Sequence, residues 1–440
     1  MPADITDGIT RITVKGFKSI AKEIPIDIKP LTVLAGANSS GKSSIMQPLL
    51  LLKQTLEAPF DPADIWLGGA HIEFTSADEF LSRVRAQSQV RALTVDVEGV
   101  SLESDIGVRV EFERSADGPL AVRRSIERGP DGSIDLSPGL TPKEIAARVP
   151  TAYETLRAGI PRLASHEWSV VRDRCFLMLQ LEQGSARGTR AALRMRTTAD
   201  AIGDYLRRIV HVGGRRGLPG RAYPRTATGP LFDGPFNPYT ASMLEHWQTE
   251  SPGTAEAVAQ DLRCLRLTKS VRAERRDDAS LNIMVGRLPV DSQQADDEVN
   301  IADVGLGVPH VLPVLIALRA AEAGRLVYIE QPEIHLHPRA QVALAGILAE
   351  SANRGVRVVV ETHSALLLLA IQTLLADPAN PLSPQGVALH WFSRRDDGVT
   401  EVTTAEIDES GAFGDWPQDF GEVTMDAQIR YLEHAEARQD

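Results

Sequence analysis

A glycine-rich segment near the N-terminus has the residue types and spacing of a loop that holds phosphate. The segment GANSSGKSS (36–44) fits the pattern G-x-x-x-x-G-K-[ST]. Its glycines let the backbone approach phosphate oxygens, and the N-terminus of a following helix adds N–H donors and a favourable dipole. Lys42 is predicted to contact the β- and γ-phosphates, and Ser43 to bind Mg²⁺. The predicted phosphate-binding residues are Gly36, Asn38, Ser39, Ser40, Gly41, Lys42, Ser43 and Ser44.

The surroundings of this loop distinguish it from a serine- and glycine-rich turn that fits the pattern by chance. The apolar run LTVLAG (31–36) predicts a buried strand before the loop. The periodicity of residues 43–56 predicts a helix after it, bent or locally broken at Pro48. The loop therefore has the strand and the helix that the pattern requires.

A second stretch, RLVYIEQPEIHLHPRAQ (325–341), places an acid at the end of an apolar strand. A phosphate-binding loop needs a carboxylate beside its metal ion, and Glu330 has the position for that role. Ser43 and Glu330 are therefore the predicted metal ligands, although Glu330 could also be a surface acid. The next strand leads into ETHS (361–364), where His363 could sense the γ-phosphate, position water, or serve only a structural role.

Gln331 follows Glu330, at the position where such sites usually carry a glutamate that activates water. A glutamine cannot accept a proton as a general base, but it can orient a water molecule. Glu333 could take the proton through water. Glu330, Gln331 and His363 are thus the predicted catalytic residues, and slow hydrolysis with a long-lived ATP-bound state is expected. Such kinetics suit a switch better than a motor.

Two histidines flank Leu336 and raise the question of a second metal site. His335 and His337 are followed at once by Pro338, and no cysteine or third ligand is near them in the sequence. A turn at the start of a helix explains the pair better than metal binding does.

The elements that must position these residues lie toward both ends of the chain. Strands are expected at 9–20, 24–28 and 31–36, and short antiparallel strands at 90–134, with hairpin signals at 117–118 and 131–132. Helices are expected over 141–183, starting at a capping box of Thr141 and Glu144. A strand is expected at 281–290. Beyond it, helices at 308–323, 338–353 and 365–375 alternate with strands at 326–329, 356–360 and 387–392, before a last strand at 400–403 and a tail that ends in a helix.

This order predicts an α/β fold with a parallel sheet, an antiparallel β subdomain and a mainly helical insertion. The predicted units are 1–90 with the phosphate loop, 91–205 with the β subdomain and the insertion, and 206–440 with the remaining motifs.

Composition and charge limit the class of protein. The chain has 440 residues, 43% hydrophobic, and a net charge of −12, which does not favour indiscriminate nucleic-acid binding. Only Cys175 and Cys264 occur, so no disulfide framework is expected. The N-terminus lacks signal-peptide features, and no apolar run approaches the ~18–20 residues that cross a bilayer. A cytoplasmic protein without membrane contact is expected.

Arginine is nevertheless concentrated in two stretches, 187–225 and 263–276. This asymmetry predicts a local anion-binding surface, which could serve nucleic acid or a nucleotide-facing edge. Solvated helix faces and salt bridges are the alternative. Three positions within 211–224 are of interest, namely Arg216, Arg221 and Tyr223. The segment HVGGRRGLPGRAYP resembles a stretch of the form LGPLR…R…Y in the ATPase family named in the next paragraph.

The chain resembles the ABC/SMC-like branch of P-loop ATPases. Within that branch it is most similar to prokaryotic relatives of the OLD-family (overcoming lysogenization defect) ATPase domain, including the ATPases of anti-phage systems such as Septu. The resemblance covers about 1–80 and 205–425. It rests on FKSI (17–20) with PLTVLAGANSSGKSS (30–44), VGLGVPHVLPVL (304–315), YIEQPEIHLHP (328–338), VVVETHS (358–364) and GDWPQDF (414–420).

The resemblance implies an ABC-type ATPase head with ATP and Mg²⁺ as cofactors, and a homodimer or higher oligomer that sandwiches ATP between heads. In such dimers each phosphate loop faces the signature motif of the other head. Here that motif would be DVGLGV (303–308), with Gly305 and Gly307 reaching the partner's γ-phosphate. It departs from LSGGQ, since Gly305 replaces the serine and Pro309-His310 replace a Ser-Gln pair of close relatives.

The same resemblance implies a sensor or regulator in a nucleic-acid-related system such as anti-phage defence, acting with a separate effector protein. No nuclease site of its own is expected, because no D-x-D follows ETHS. A DNA repair or maintenance ATPase of the RecF/SMC type and an ATP-binding scaffold without turnover are the alternatives.

Overall fold

The computed structural model describes residues 7–62, 65–83, 91–114, 120–163, 165–183, 191–292, 294 and 297–414. The predicted turn at 117–118 and residues 415–440, which hold the tail with its expected helix, lie outside these ranges.

Strands and helices are numbered in chain order. The strands are β1 (Gly8–Lys15), β2 (Ile24–Asp27), β3 (Leu31–Gly36), β4 (Ala92–Ser101), β5 (Ser104–Arg114), β6 (Leu120–Gly129), β7 (Gly132–Leu136), β8 (Glu167–Asp173), β9 (Phe176–Gln183), β10 (Ala191–Arg194), β11 (Val210–Val212), β12 (Tyr223–Pro224), β13 (Val271–Arg275), β14 (Ser280–Gly286), β15 (Glu298–Asn300), β16 (Leu326–Glu330), β17 (Arg357–Thr362), β18 (Val387–Arg394) and β19 (Thr400–Thr404). The helices are α1 (Lys42–Glu57), α2 (Pro142–Ala146), α3 (Thr151–Gly159), α4 (Thr198–Arg208), α5 (Thr240–Glu250), α6 (Pro252–Cys264), α7 (Gly307–Ala320), α8 (Pro338–Asn353) and α9 (Ala365–Ala376).

The central sheet has the strand order β11-β16-β17-β3-β18-β19. Its first five strands are parallel and β19 pairs antiparallel with β18. The sheet is covered on both faces, since Leu31 and Val33 of β3 belong to one hydrophobic cluster and Leu34 to the other. Strands buried on both faces are nearly continuous apolar runs, as the sequence of β3 shows. The parallel sheet and the helices α7, α8 and α9 predicted from the sequence are thereby confirmed.

A second sheet joins the N-terminal strands to the predicted antiparallel patch. Its order is β2-β1-β4-β5-β6-β7, with all neighbours antiparallel. The hairpin expected at 131–132 is present between β6 and β7, where Gly129 pairs with Gly132. Because β1 and β2 belong to this sheet, it includes residues from both sides of position 90, where the first predicted unit ends. The three-part division of the chain stays a prediction.

The helices expected over 141–183 are present only in part. The capping box of Thr141 and Glu144 starts α2 as predicted, and α3 follows. Residues 167–183 instead form the strands β8 and β9, joined by a turn with Arg174 at φ 57°. The helix prediction was wrong here because a short, buried apolar run such as FLMLQL fits either a helix or a strand by periodicity alone. Pairing of β9 with both β8 and β10 decides for the strand.

Two hydrophobic clusters form the core. One lies between the central sheet and α5 to α9, and the other between that sheet, α1, α4 and the antiparallel strands. Helix α1 continues through Pro48 as one helix, and the bend or local break expected at that residue stays a prediction. Within the described ranges, no helix combines the length and apolar character needed to cross a membrane.

Candidate nucleotide-binding site

The glycine-rich loop turns tightly between β3 and α1. Gly36 (φ 153°) and Gly41 (φ 106°) have backbone conformations that residues with a side chain rarely adopt. A side chain would also clash at both positions. A Cβ at residue 36 would lie 2.2 Å from the Phe392 carbonyl oxygen, and a Cβ at residue 41 would lie 2.3 Å from Thr400 Oγ1. The Thr400 hydroxyl also donates to the Ser40 carbonyl at 2.7 Å. Strands β18 and β19 therefore hold the loop in place.

Lys42 is buried in the loop, and within the described part of the chain its hydrogen bonds go to neutral groups. Its Nζ donates to the carbonyls of Gly36 (2.9 Å) and Ala37 (2.7 Å) and lies 3.4 Å from His363 Nδ1. Burial lowers the pKa of Lys42 to about 8, against the opposing charges of Glu361 and Glu333. A buried ammonium whose hydrogen bonds go to carbonyl oxygens is well placed to exchange them for an anionic phosphate.

The loop forms one wall of a cleft of about 900 Å³, which is large enough for a nucleotide. The predicted residues that line it are Asn38, Ser39, Gly41, Lys42, Ser43, Ser44, Gln331 and His363. Side chains not predicted for the site complete the lining and include Lys18, Gln47, Glu361, Arg83, Arg215 and Arg394. Gly36, Ser40 and Glu330 do not line this cleft. Ser40 is buried behind the loop.

The carboxylate beside Ser43 belongs to Glu361. Ser43 Oγ donates to Glu361 Oε1 at 2.8 Å, and the Tyr328 hydroxyl donates to Glu361 Oε2 at 2.9 Å. Burial, and then the charge of Glu330, raise the pKa of Glu361. Glu361 was not among the predicted site residues, although an acid near the end of the apolar strand RVVVET (357–362) was a visible signal.

Glu330, the predicted metal ligand, lies opposite Glu361 in the register of the parallel strands β16 and β17. Its Oε1 is 3.3 Å from His211 Nε2, and its Oε2 accepts a 2.9 Å bond from the Gly214 N–H. Burial favours the neutral acid, but the hydrogen bonds and charge of His211 and the Gly214 N–H outweigh it and lower the pKa of Glu330. Arg216 donates to the Glu330 carbonyl at 2.7 Å, which ties the preceding loop to the end of β16.

Two buried histidines connect Glu330 to the far end of α1. His211 Nδ1 lies 3.0 Å from His71 Nδ1, and His71 Nε2 lies 3.2 Å from Glu57 Oε2. Burial lowers the pKa of His71 to about 4, so this ring is neutral. The three contacts from Glu57 to Glu330 need three protons, and two neutral imidazoles supply only two.

Gln331 and Glu333 follow Glu330 but occupy different surroundings. Gln331 lines the cleft and has a left-handed backbone (φ 45°), which its N–H stabilises by donating to the Glu361 carbonyl at 2.7 Å. Glu333 Oε1 instead accepts bonds from the Thr362 hydroxyl (2.7 Å) and the His363 N–H (3.0 Å). Glu333 therefore positions the backbone at His363, and it does not line the cleft.

The predicted signature glycines lie outside the cleft of their own chain. Gly307 begins α7, and Gly305 precedes it. Among the residues that the structure describes, no atom lies within 4 Å of where a Cβ of residue 305 would stand. Asp303, at the start of the motif, pairs with Arg221 at 2.5 Å, and His310 Nε2 contacts the Gly217 carbonyl at 3.0 Å. The loop that contacts Glu330 therefore also contacts the signature segment.

Of the three positions of interest in 211–224, none faces the cleft. Arg216 is half-buried, and desolvation lowers its pKa to about 10. Arg221 pairs with Asp303, while Tyr223 lies in β12. The neighbouring Arg215 lines the cleft instead.

The histidines at positions 335 and 337 each make a structural contact. His337 caps α8 by accepting the Arg339 N–H, and the His335 ring packs edge-on against His310 with centroids 4.7 Å apart. Within the described ranges, no group of three or more His, Cys, Asp or Glu side chains could hold a metal ion by itself.

The arginines in the described parts of the two basic stretches are largely paired with acids. Ion pairs connect Arg194 to Asp173 and Asp200, Arg207 to Asp204, Arg225 and Arg275 to Glu245, and Arg272 to Glu298. This pattern favours the alternative of salt-bridged surfaces over a prominent nucleic-acid-binding surface.

Comparisons with known proteins agree with this geometry. Residues 8–114 match a family model described as "AAA ATPase domain", and residues 252–370 match one described as "AAA domain, putative AbiEii toxin, Type IV TA system". No curated protein matches the chain.

Solved structures of SMC heads are similar in fold. The SMC head bound to the C-winged helix domain of ScpA is 13% identical, with a TM-score of 0.50, and the alignment covers 92% of this chain and 99% of that chain. The SMC head domain from Thermotoga maritima is 11% identical (TM-score 0.42; 91% and 100% covered). The Pyrococcus furiosus SMC head with an extended coiled coil, bound to the C-terminal domain of ScpA, is 12% identical (TM-score 0.43; 98% and 100% covered). The first of these likenesses confirms the predicted fold class, an SMC/ABC-type ATPase head.

Proposed function

We propose that this protein is an ATPase head that binds Mg-ATP in the cleft of the glycine-rich loop, hydrolyses it slowly, and dimerises when ATP is bound. One observation carries the proposal. Residues from three separate segments, Lys42 with Ser43, Gln331, and His363, converge on one cleft at the carboxyl edge of a parallel sheet. Ligands of open α/β sheets bind at this edge.

Each cleft residue has a chemical role in this proposal. Lys42 binds the β- and γ-phosphates, and His363, 3.4 Å from Lys42 Nζ, contacts the γ-phosphate. Gln331 orients the attacking water by hydrogen bonding. Because Gln331 cannot take the proton, hydrolysis is slow.

The residues present fit a magnesium ion. The hydroxyl of Ser43 and a carboxylate beside it are hard oxygen donors, which Mg²⁺ prefers, and it commonly combines them with substrate phosphates. When bound, the ion neutralises charge on the β- and γ-phosphates.

Dimerisation follows from where the signature glycines lie. Gly305 and Gly307 are outside the cleft of their own chain, and Gly305 has open space around it. At the N-terminus of α7 they are placed to offer N–H donors to the phosphate of a second head. His310 faces inward to the Gly217 carbonyl, so it does not replace the polar contact of the family motif.

Sedimentation velocity with and without Mg-ATP tests this dimer. Wild type should shift from monomer to dimer with Mg-ATP, while Lys42→Ala stays monomeric. The open space around position 305 can accommodate a glutamate side chain, so Gly305→Glu should fold and retain ATP binding. It should nevertheless stay monomeric, because its carboxylate would repel the phosphate bound to the second head. A Gly305→Glu variant that dimerises as wild type does would refute the sandwich arrangement.

The biological setting is proposed from the sequence resemblance alone. The head would act as a sensor or regulator, with a separate effector, in a system such as anti-phage defence. A DNA maintenance role of the RecF/SMC type is the second candidate, and the SMC-head fold is compatible with it. Stimulation of ATP turnover by DNA distinguishes the two, and the paired arginines lead us to expect little stimulation.

A further inference from the structure

We infer that Glu361 is the carboxylate that, together with Ser43, binds the Mg²⁺ of the nucleotide. The inference rests on the proposed function and changes the assignment of its metal site. The motif pattern assigns that role to Glu330, which ends the neighbouring strand.

The position of Glu361 in the sheet is the first argument. Strand β17 lies between β16 and β3, so Glu361 is one strand nearer to the phosphate loop than Glu330 is. In register, Glu361 lies beside Leu34 of β3 on one side and Glu330 of β16 on the other. Its carboxylate thereby reaches Ser43 Oγ at 2.8 Å and lines the cleft.

The second argument concerns the bonds that each carboxylate already makes. Both oxygens of Glu330 are engaged away from the loop, one with His211 and one with the Gly214 N–H. Glu361 instead bonds to Ser43, itself a predicted metal ligand. A cation between Ser43 and Glu361 would replace one hydrogen bond and leave the contacts of Glu330 intact.

Charge is the third argument. Glu330 and Glu361 are carboxylates on adjacent strands, with the Tyr328 hydroxyl bonded to the second of them. Lys42 is the nearby cation, but its hydrogen bonds go to carbonyl oxygens. Neighbouring carboxylates of low exposure repel each other unless a cation offsets them. A divalent ion at Ser43 would add to the positive charge of Lys42 directly beside Glu361.

Magnesium-dependent nucleotide binding tests the inference without relying on turnover. The probe is a fluorescent mant-ATP, titrated with Mg²⁺ after all metal has been removed, using wild type, Glu361→Gln and Glu330→Gln. Glutamine at 361 keeps an oxygen that can accept from Ser43, so this variant should fold. For Glu361→Gln the half-maximal Mg²⁺ concentration should rise at least about tenfold. Glu330→Gln should raise the half-maximal Mg²⁺ concentration less than Glu361→Gln does.

Controls separate the metal site from general electrostatics. Glu79→Gln removes a carboxylate at the rim of the same cleft that bonds to Thr75, and its magnesium dependence should match wild type. Thermal unfolding of the ligand-free variants reports folding, and Glu361→Asp, which keeps the charge on a shorter side chain, should give an intermediate shift.

The possible outcomes separate the two proposals. Wild-type magnesium dependence in Glu361→Gln, or a larger shift in Glu330→Gln, would overturn the inference and leave the proposed function standing. Wild type that binds mant-ATP no better than Lys42→Ala would overturn the proposed function itself, and the inference with it.

Discussion

The Ser43 hydroxyl donates a 2.8 Å hydrogen bond to Glu361, and both residues line the cleft. The acid that the motif pattern assigns to the metal, Glu330, is engaged one strand further away with His211 and Gly214. The carboxyl edge of this sheet therefore carries two adjacent acids in different environments. One is held by a histidine and a backbone N–H, and the other is held by the serine of the phosphate loop.

Gln331→Glu should increase ATP turnover by about tenfold or more, because a carboxylate can take the proton that glutamine cannot. Gln331 lines the cleft, so the new carboxylate would stand where the attacking water is expected. Steady-state phosphate release measures the change. Gln331→Ala should lower turnover instead, since it removes the group that orients water. Turnover in Gln331→Glu no higher than in wild type would show that Gln331 does not limit hydrolysis.

Arg215→Ala should reduce kcat by about 10- to 100-fold without loss of stability. Arg215 lines the cleft, and among the described residues it makes no hydrogen bond or ion pair, so its charge is available to the γ-phosphate. Arg83→Ala is the matched control, because Arg83 lines the same cleft but lies 3.5 Å from Asp78. Equal losses in both variants would indicate a general electrostatic effect and exclude a specific role for Arg215.

His211→Leu should lower the free energy of unfolding by about 2 to 4 kcal/mol, since it removes the partner of Glu330 Oε1 and of His71 Nδ1. Urea unfolding measures the change. His246→Leu, on the exposed side of α5, is the control and should change stability little. A His211→Leu variant as stable as the control would show that the buried histidine chain does not stabilise the fold.

Glu127 should make stability fall as pH rises. It is 2% exposed, and burial raises its pKa to about 7. Because the folded state then favours the protonated acid, stability is complete below the ordinary pKa of 4.5 and is lost as pH rises through 7. The loss should amount to about 3 kcal/mol.

Glu127→Gln tests this dependence by urea unfolding at a series of pH values. The variant should be more stable than wild type above pH 7 and similar to it below pH 4.5. Exposed Glu167→Gln should follow the wild-type curve. Parallel curves for wild type and Glu127→Gln would contradict the assignment.

Local patterns were sufficient to predict the phosphate loop, the strand that ends at Glu330, and the helices α7 to α9. Each of these depends on residues close together in the chain, such as Lys42 and Ser43 at the start of α1. The strands β8 and β9 were mistaken for helix because their apolar residues fit both periods, and pairing between strands decided the structure.

Contacts between distant segments account for the parts of the site that the sequence did not predict. Ser43 and Glu361 are 318 positions apart, and His71 and His211 are 140 apart. No spacing rule connects such pairs. The parallel register of β16, β17 and β3 brings Glu361 beside Ser43, and the pairing of β11 with β16 places His211 against Glu330.

Steady-state ATP turnover of wild type in Mg²⁺, with Lys42→Ala as background, tests the central claim most directly. We predict slow turnover in wild type that Lys42→Ala abolishes, because Lys42 is the cation at the centre of the phosphate loop. Wild-type turnover indistinguishable from that of Lys42→Ala would contradict an ATPase with these residues. It would leave a protein that binds nucleotide without hydrolysing it.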